Sequence, residues 1–353
     1  MAICKRAFNN MGKKANGKIT YISFVLSILV VSIHTYNLST YGFTGATGSE
    51  RALIWFESRL NSFESVCVPF FFFLSGYLLF RRFEFSKEGI FKKYKSRFFS
   101  LFVPYVIWNT FYFVIYAVLT HVRIFKTFMN HETVELSLRN FLFTVWNSTF
   151  SPLWFVQSLM IMILPFPLYY ILFRINMHKY TWILGPISFI VVFVMSTGWI
   201  PYKIPYIQPT FILGTFLAIN VKDIFEKENI IASIAALAAF LTAVIWLCLN
   251  KPHGVIWQIV IIMSVWYLFD IIRSVEKEPR SWMKYSFFIY CAHDLILEAM
   301  EKIWLIIAGK RVWAAAVDYI FAPAVTVCIL VFVANLLKKI MPGTWKIING
   351  NRG

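Results

Sequence analysis

Apolar residues in this chain are gathered into long stretches separated by short polar and basic connections. A helix needs about 20 mostly apolar residues to cross a hydrocarbon core about 30 Å thick. Runs of that kind, flanked by charge and punctuated by Pro and Gly, predict spanning helices at 20–38, 63–80, 98–120, 152–173, 181–198, 204–219, 230–249, 255–272, 285–307 and 314–337. The fifth and sixth are short and separated only by Gly198 to Lys203, with Pro201 and Pro205 bending the turn, so a merged or re-entrant pair is the alternative there. The predicted fold is all-α, a polytopic integral membrane bundle of about ten transmembrane helices.

The polar connections orient the bundle. Cytoplasmic loops are enriched in Lys and Arg, and most of the 34 such residues fall in alternate connections beginning with the N-terminal segment. The strongest block runs from Arg81 to Arg97. This pattern predicts both termini in the cytoplasm. Residues 1–19 are expected to be a basic cytoplasmic tail, 20–340 the transmembrane domain and 341–353 a short cytoplasmic tail. Lys5, Arg6, Lys13, Lys14 and Lys18 precede an apolar run without a small-residue cleavage site, which reads as a retained signal anchor. No soluble domain is expected beside the bundle. The largest outer segment, His121 to Ser151, holds a short amphipathic stretch near Val134 to Val145.

Composition agrees, with 59% hydrophobic, 19% aromatic and 14% charged residues, against about a quarter charged in soluble domains. The net charge of +17 is dispersed between apolar runs, so it forms no basic domain to hold a duplex, and nucleic acid is not an expected partner. Cys67, Cys248, Cys291 and Cys328 lie inside apolar segments and Cys4 in the basic tail, with no CxxC pair or disulfide framework. No repeat of fixed period or inverted symmetry is visible.

Polar and ionisable residues inside spans are costly and mark candidate sites. Thr20, Ser23, Ser27 and His34 share one face of the first span. His34, roughly 21 Å along from Thr20 by helical rise, is expected in the outer part of the membrane. It is either a packing histidine or a general base, since imidazole exchanges protons near neutral pH. The second span begins near Glu64 and carries Ser75-Gly76, a pair suited to close helix packing or to the approach of a ligand. Arg97 stands at the cytoplasmic interface, and Trp154 and Gln157 are expected at about the depth of His34. His293-Asp294 is expected about 10 Å in from the cytoplasmic side, with Asp294, Glu298 and Glu301 on one face. These placements give two levels: Arg97, Ser75 and His293 toward the cytoplasm, and His34, Glu64, Trp154 and Gln157 toward the outside. Such a layout suits either chemistry that joins the two faces or a transport path. The histidines show no HxxxH or HExxH spacing, so no metal site is expected.

Four ordered pieces carry a resemblance: Leu29-Val30-Val31-Ser32-Ile33-His34, Cys67-Val68-Pro69-Phe70-Phe71-Phe72-Phe73-Leu74-Ser75-Gly76-Tyr77-Leu78-Leu79, Pro152-Leu153-Trp154-Phe155 and Tyr290-Cys291-Ala292-His293. In order and spacing they resemble the acyltransferase 3 family of multi-pass membrane O-acyltransferases. The resemblance covers nearly the whole chain, including all of 20–340. It implies transfer of a short acyl group, acetyl or succinyl, from cytoplasmic acyl-CoA to a hydroxyl of a cell-envelope glycan or related acceptor, in the bacterial plasma membrane. His34 matches the family's catalytic histidine. Arg97 matches a basic residue before the third span, where a guanidinium suits CoA phosphates. Ser75 and His293 join Arg97 on the expected donor side, and Glu64, Trp154, Gln157 and Asp294 are expected to serve the acceptor or support the base. No permanently bound cofactor is expected, and acetyl-CoA or succinyl-CoA serves as co-substrate. The partners are then the lipid bilayer, acyl-CoA, the hydroxyl acceptor and, in an assembly, further copies of the chain as a homo-oligomer. The sequence departs from the family at two positions: Ser23 stands where an Arg is common, and Ser100 where a second Arg often follows Arg97. The Cys67 to Phe71 variant also resembles membrane domains of amino-acid racemase proteins, and a transporter or flippase for a small polar solute or lipid-linked sugar is the alternative of a different class.

Overall fold

A computed structural model of the chain describes residues 2–36, 38–122, 132–175, 181–197, 208–250, 254–271 and 278–352. All regular structure among these is helical, and besides the short turns Leu38–Tyr41, Lys222–Phe225 and Ser281–Tyr285 it comprises α1 (Ala2–His34), α2 (Gly48–Glu64), α3 (Cys67–Phe80), α4 (Lys87–Arg97), α5 (Val103–His121), α6 (Leu138–Asn147), α7 (Trp154–Ile163), α8 (Phe166–Phe173), α9 (Thr181–Thr197), α10 (Pro209–Asn220), α11 (Ile230–Leu249), α12 (Val255–Leu268), α13 (Ser286–Ala308), α14 (Val312–Ile340) and α15 (Pro342–Ile348). A π-helical turn, Phe98–Phe102, joins α4 to α5. Among the described residues, five helical runs are long and apolar enough to cross a membrane: Lys14–His34, Gly48–Phe80, Lys87–His121, Ile230–Leu249 and Val312–Ile340. A sixth is added if α7 and α8 count as one broken span.

Several expected bounds shift for identifiable reasons. The helix ahead of residue 63 was not expected, because Glu50, Arg51, Glu57 and Arg59 lower the local hydropathy; its inner side buries Glu57, Ser58, Ser62 and Glu64. The expected span 152–173 is bent by 57° between α7 and α8, at Leu164-Pro165, where proline lacks the amide hydrogen a continuing helix would use. The turn expected at Gly198 to Lys203, with Pro201 and Pro205, lies outside the described residues. The amphipathic stretch after α5 forms α6, capped by Ser137, whose hydroxyl accepts from the Asn140 amide at 3.2 Å.

The chain divides into two compact units. The first comprises Met1–Ile33, Trp55–Phe91 and Ile161–Lys284. At its centre α3 and α10 run against each other through Gly76 and Gly214, where a Cβ would collide with the carbonyl oxygens of Phe211 and Phe73 respectively. Small residues are what let two helix backbones come this close, so the packing reading of Gly76 holds. Phe70, Phe73, Tyr77, Phe211 and Trp266 fill the surrounding core. Two of its buried cations are paired with acids, which offsets the cost of burial. Arg81 forks onto Glu226, which also accepts from the Tyr77 hydroxyl at 2.7 Å. Lys18 lies 2.6 Å from Asp270 and 4.2 Å from the Trp266 ring centroid.

The second unit comprises His34–Ile54, Lys92–Met160 and Tyr285–Gly353. In it α13 packs on α14, and α5 packs on α6 and α15. Residues 342–348, in the segment expected as a tail, form α15, pinned by the buried Trp345 ring 5.0 Å from Tyr285 and 5.2 Å from Phe288. The Trp108 indole donates to the Ile348 carbonyl at 3.1 Å. On α14 the polar side chains Asp318 and Thr326 are buried, while Ile320, Phe321, Phe332 and Leu336 are exposed. A helix that hides its polar groups and bares its large apolar ones is matched to lipid.

Candidate functional site

The second unit contains a pocket of about 400 Å³ lined by His34, Tyr116, Thr149, Phe150, Ser151, Pro152, Trp154, Asp294, Leu297, Glu298 and Glu301. His34 is the last residue of α1. Its Nδ1 lies 3.8 Å from a carboxylate oxygen of Asp294, within ion-pair range though longer than a hydrogen bond. With Nδ1 turned to that carboxylate, Nε2 is the nitrogen left for a substrate. Asp294, Glu298 and Glu301 recur at intervals of four and three on α13, so all three face the pocket together. Tyr116 donates to Glu298 at 2.6 Å and Lys302 pairs with the same carboxylate at 2.6 Å, so this acid is engaged from two sides.

The floor is built by the loop from Ser148 to Leu153. The Ser151 hydroxyl donates to Asn109 Oδ1 at 2.7 Å, and Tyr290 donates to the Pro152 carbonyl. Tyr105 donates to the Trp146 carbonyl at 2.5 Å and accepts from Ser148 at 3.0 Å. Asn109, Tyr105 and Ser151 are all buried, and buried polar groups joined this completely hold one arrangement rather than several. The loop is therefore positioned by α5 and α13 before any ligand arrives.

The predicted residues land as follows. His34, Trp154 and Asp294 line the pocket. His293 is displaced from its expected place: instead of standing at a separate cytoplasmic level, its ring lies 4.9 Å from that of His34. Helical rise measures distance along one helix, and two helices entering at different tilts do not share a depth scale. The His293 Nδ1 is 2.8 Å from the Tyr290 carbonyl, and its Nε2 is buried without a hydrogen-bond partner. Gln157 donates to the Trp146 carbonyl at 2.7 Å and so fastens the last turn of α6, and it is not among the pocket's lining residues. Glu64 and Ser75 belong to the first unit, where Glu64 is buried and accepts from Ser32 at 2.6 Å. Arg97 belongs to the second unit and is not among the pocket's lining residues.

His34 and His293 are remote in sequence, so no local ligand spacing relates them, yet they meet in space. Together with Asp294 they bring three ligand atoms within 4.8 Å of one another, a set that could hold a metal ion. Asn109 and Tyr116 are not among the expected site residues, although each is a polar group inside an apolar span. Both were hidden by aromatic neighbours in Trp108-Asn109-Thr110-Phe111-Tyr112-Phe113 and Val114-Ile115-Tyr116.

Replacing Asp294 by Asn should keep the pocket's shape and remove the charge beside His34. Because that carboxylate is a third exposed, the expected fall in kcat for a base-dependent reaction is roughly tenfold to a hundredfold, smaller than for a fully buried partner. Steady-state rates with unchanged KM would bear this out, and wild-type kcat would refute it.

Residues 16–335 match the family model described as an acyltransferase domain. Over 364 residues the chain is 25% identical to the succinoglycan biosynthesis protein ExoH of Rhizobium meliloti (strain 1021), an alignment covering 97% of this chain and 94% of that protein. No solved structure matches.

Proposed function

The chain belongs to the acyltransferase 3 family, and from that premise we propose that it is a multi-pass membrane O-acyltransferase that moves an acetyl or succinyl group from cytoplasmic acyl-CoA to a hydroxyl of a cell-envelope glycan. The observation that carries this reading is His34 set against Asp294 in a polar pocket within a helical membrane protein. A hydroxyl is a weak nucleophile at neutral pH. In this mechanism His34 Nε2 takes the proton as the hydroxyl oxygen attacks the thioester carbonyl, and Asp294 steadies the imidazolium that forms. The tetrahedral adduct collapses by breaking the carbon–sulfur bond, and the proton passes from the imidazolium to the departing CoA sulfur. The products are an ester and free CoA. Arg97 holds the donor, and the bundle crosses the bacterial cell membrane about ten times with both termini inside.

Support for a glycan acceptor comes from the similar protein's place in succinoglycan biosynthesis. Purified protein in lipid discs, given labelled acetyl-CoA or succinyl-CoA and a glycan bearing free hydroxyls, is expected to form an alkali-labile ester on the glycan. No ester with either donor would overturn the proposal.

A further inference from the structure

Two partly buried arginines of the second unit have, among the described residues, no carboxylate paired with them. Arg97 Nε and Arg352 Nη1 are both shielded from solvent without a hydrogen-bond partner. Neither arginine takes part in an ion pair among the described residues. This contrasts with Arg81 and Lys18 of the first unit, each of which meets an acid. The charge of Arg97 also reaches Arg352: burial first, and that charge second, lower the Arg352 guanidinium to about 10. A shielded cationic N–H without a partner is costly, and two such groups from neighbouring arginines define a place that an anion would relieve.

Arg352 is delivered there by a specific turn. Helix α15 ends in a Schellman arrangement, with the Gly350 amide donating to the Ile347 carbonyl at 3.0 Å and the Asn351 amide to the Lys346 carbonyl at 2.8 Å. Gly350 has φ +63°, which glycine adopts freely, and a Cβ there would stand 2.6 Å from the Ser100 carbonyl oxygen and 3.3 Å from Arg352 Nη1. The Arg352 guanidinium lies 3.8 Å from the Phe287 ring centroid. Ser100 sits in the π turn directly after Arg97, and its hydroxyl is likewise buried without a partner. π turns of this kind are frequent at functional sites.

We propose that Arg97, Arg352 and the Ser100 hydroxyl form a phosphate-binding site for the phosphorylated end of the acyl donor. Arg352 supplies from α15 the second guanidinium that the chain lacks at Ser100. The inference rests on the acyl-CoA reading above, and Arg352 lies beyond the residues that match the family, 16–335. A planar guanidinium pair suits a phosphate monoester or diphosphate, which it can grip through several charge-assisted hydrogen bonds. A phospholipid headgroup offers the same chemistry, so the test separates the two sources.

The full chain in phosphatidylcholine discs is titrated calorimetrically with CoA and with pantetheine, which has no phosphate. CoA binding is expected to weaken roughly tenfold to a hundredfold in Arg352→Ala. Arg352→Gln, which keeps part of the stem and removes the charge, should lose as much, and Arg352→Lys should recover part. Pantetheine should bind all four proteins alike, and melting temperatures within a few degrees of wild type establish that α15 stays docked. Wild type that fails to bind CoA overturns the donor reading itself. Wild type that binds CoA, with both Arg352→Ala and Arg352→Gln binding it equally well, overturns this inference alone. If those variants keep CoA but fail to retain phosphatidylglycerol in native lipid analysis, the site belongs to a lipid headgroup and its assignment to the donor is overturned.

Discussion

His34→Ala should lower acyl transfer by about a hundredfold to ten-thousandfold, the range a positioned general base supplies, while CoA affinity and melting temperature stay near wild type. The split matters, because a histidine that merely packs α1 against its surroundings would change stability and leave turnover of the surviving folded protein intact. His34 is suited to the chemical role by position: its ring opens on the pocket, its Nδ1 is turned to Asp294, and the His293 ring lies tilted beside it. Full activity in the variant would refute the mechanism. A second arm addresses the ligand set made by His34, His293 and Asp294. Turnover that survives chelation fits base chemistry, and turnover that a chelator abolishes and added metal restores would transfer His34 to a ligand's role.

The second large effect is expected far from that pocket. Gly214→Val should destabilise the first unit by more than about 3 kcal/mol, above the ordinary cost of overpacking, because the new side chain meets main chain rather than a movable side chain. Its Cβ would press on the Phe73 carbonyl oxygen and lie about 3.1 Å from the Tyr77 amide nitrogen. Tyr77 is in turn bound to Glu226, which anchors Arg81, so parting α3 from α10 breaks a buried polar group as well as an apolar seam. Gly48→Ala, where nothing lies within 4 Å, is the control. Extraction yield and thermal melting should fall sharply in the first and barely move in the second. Equal melting would mean that the two helices can separate at little cost.

Helix class and much of the span list were legible because apolar runs must be long to matter in lipid and are interrupted wherever the chain turns. Thus 230–249 reappears as α11, Ile230–Leu249. α2 was not legible, since its charged residues lower the local hydropathy and only packing shows Glu57 and Glu64 turned inward. In the site, His34 and Asp294 could be found because each is a polar intrusion in an apolar helix. Their meeting could not, since nothing along one helix states which neighbour it will touch. Arg352 lies in the segment 341–353 expected as a short cytoplasmic tail, and its meaning depends on a left-handed glycine and a carbonyl at Ser100, both tertiary facts.

The π turn at Phe98–Phe102 has a consequence for how this chain tolerates change in length. A π turn holds one residue more than the α-helical turn it replaces, so removing a residue within 98–102 should heal the helix rather than break it. The healed helix would turn Arg97 about 100° around the axis relative to α5, away from Gly350 and Arg352. A single-residue deletion here would therefore leave hydropathy, helix content and the span list untouched and still separate the two guanidiniums. Sequence length at this point is itself a functional variable, and an alignment gap would be as informative as a substitution.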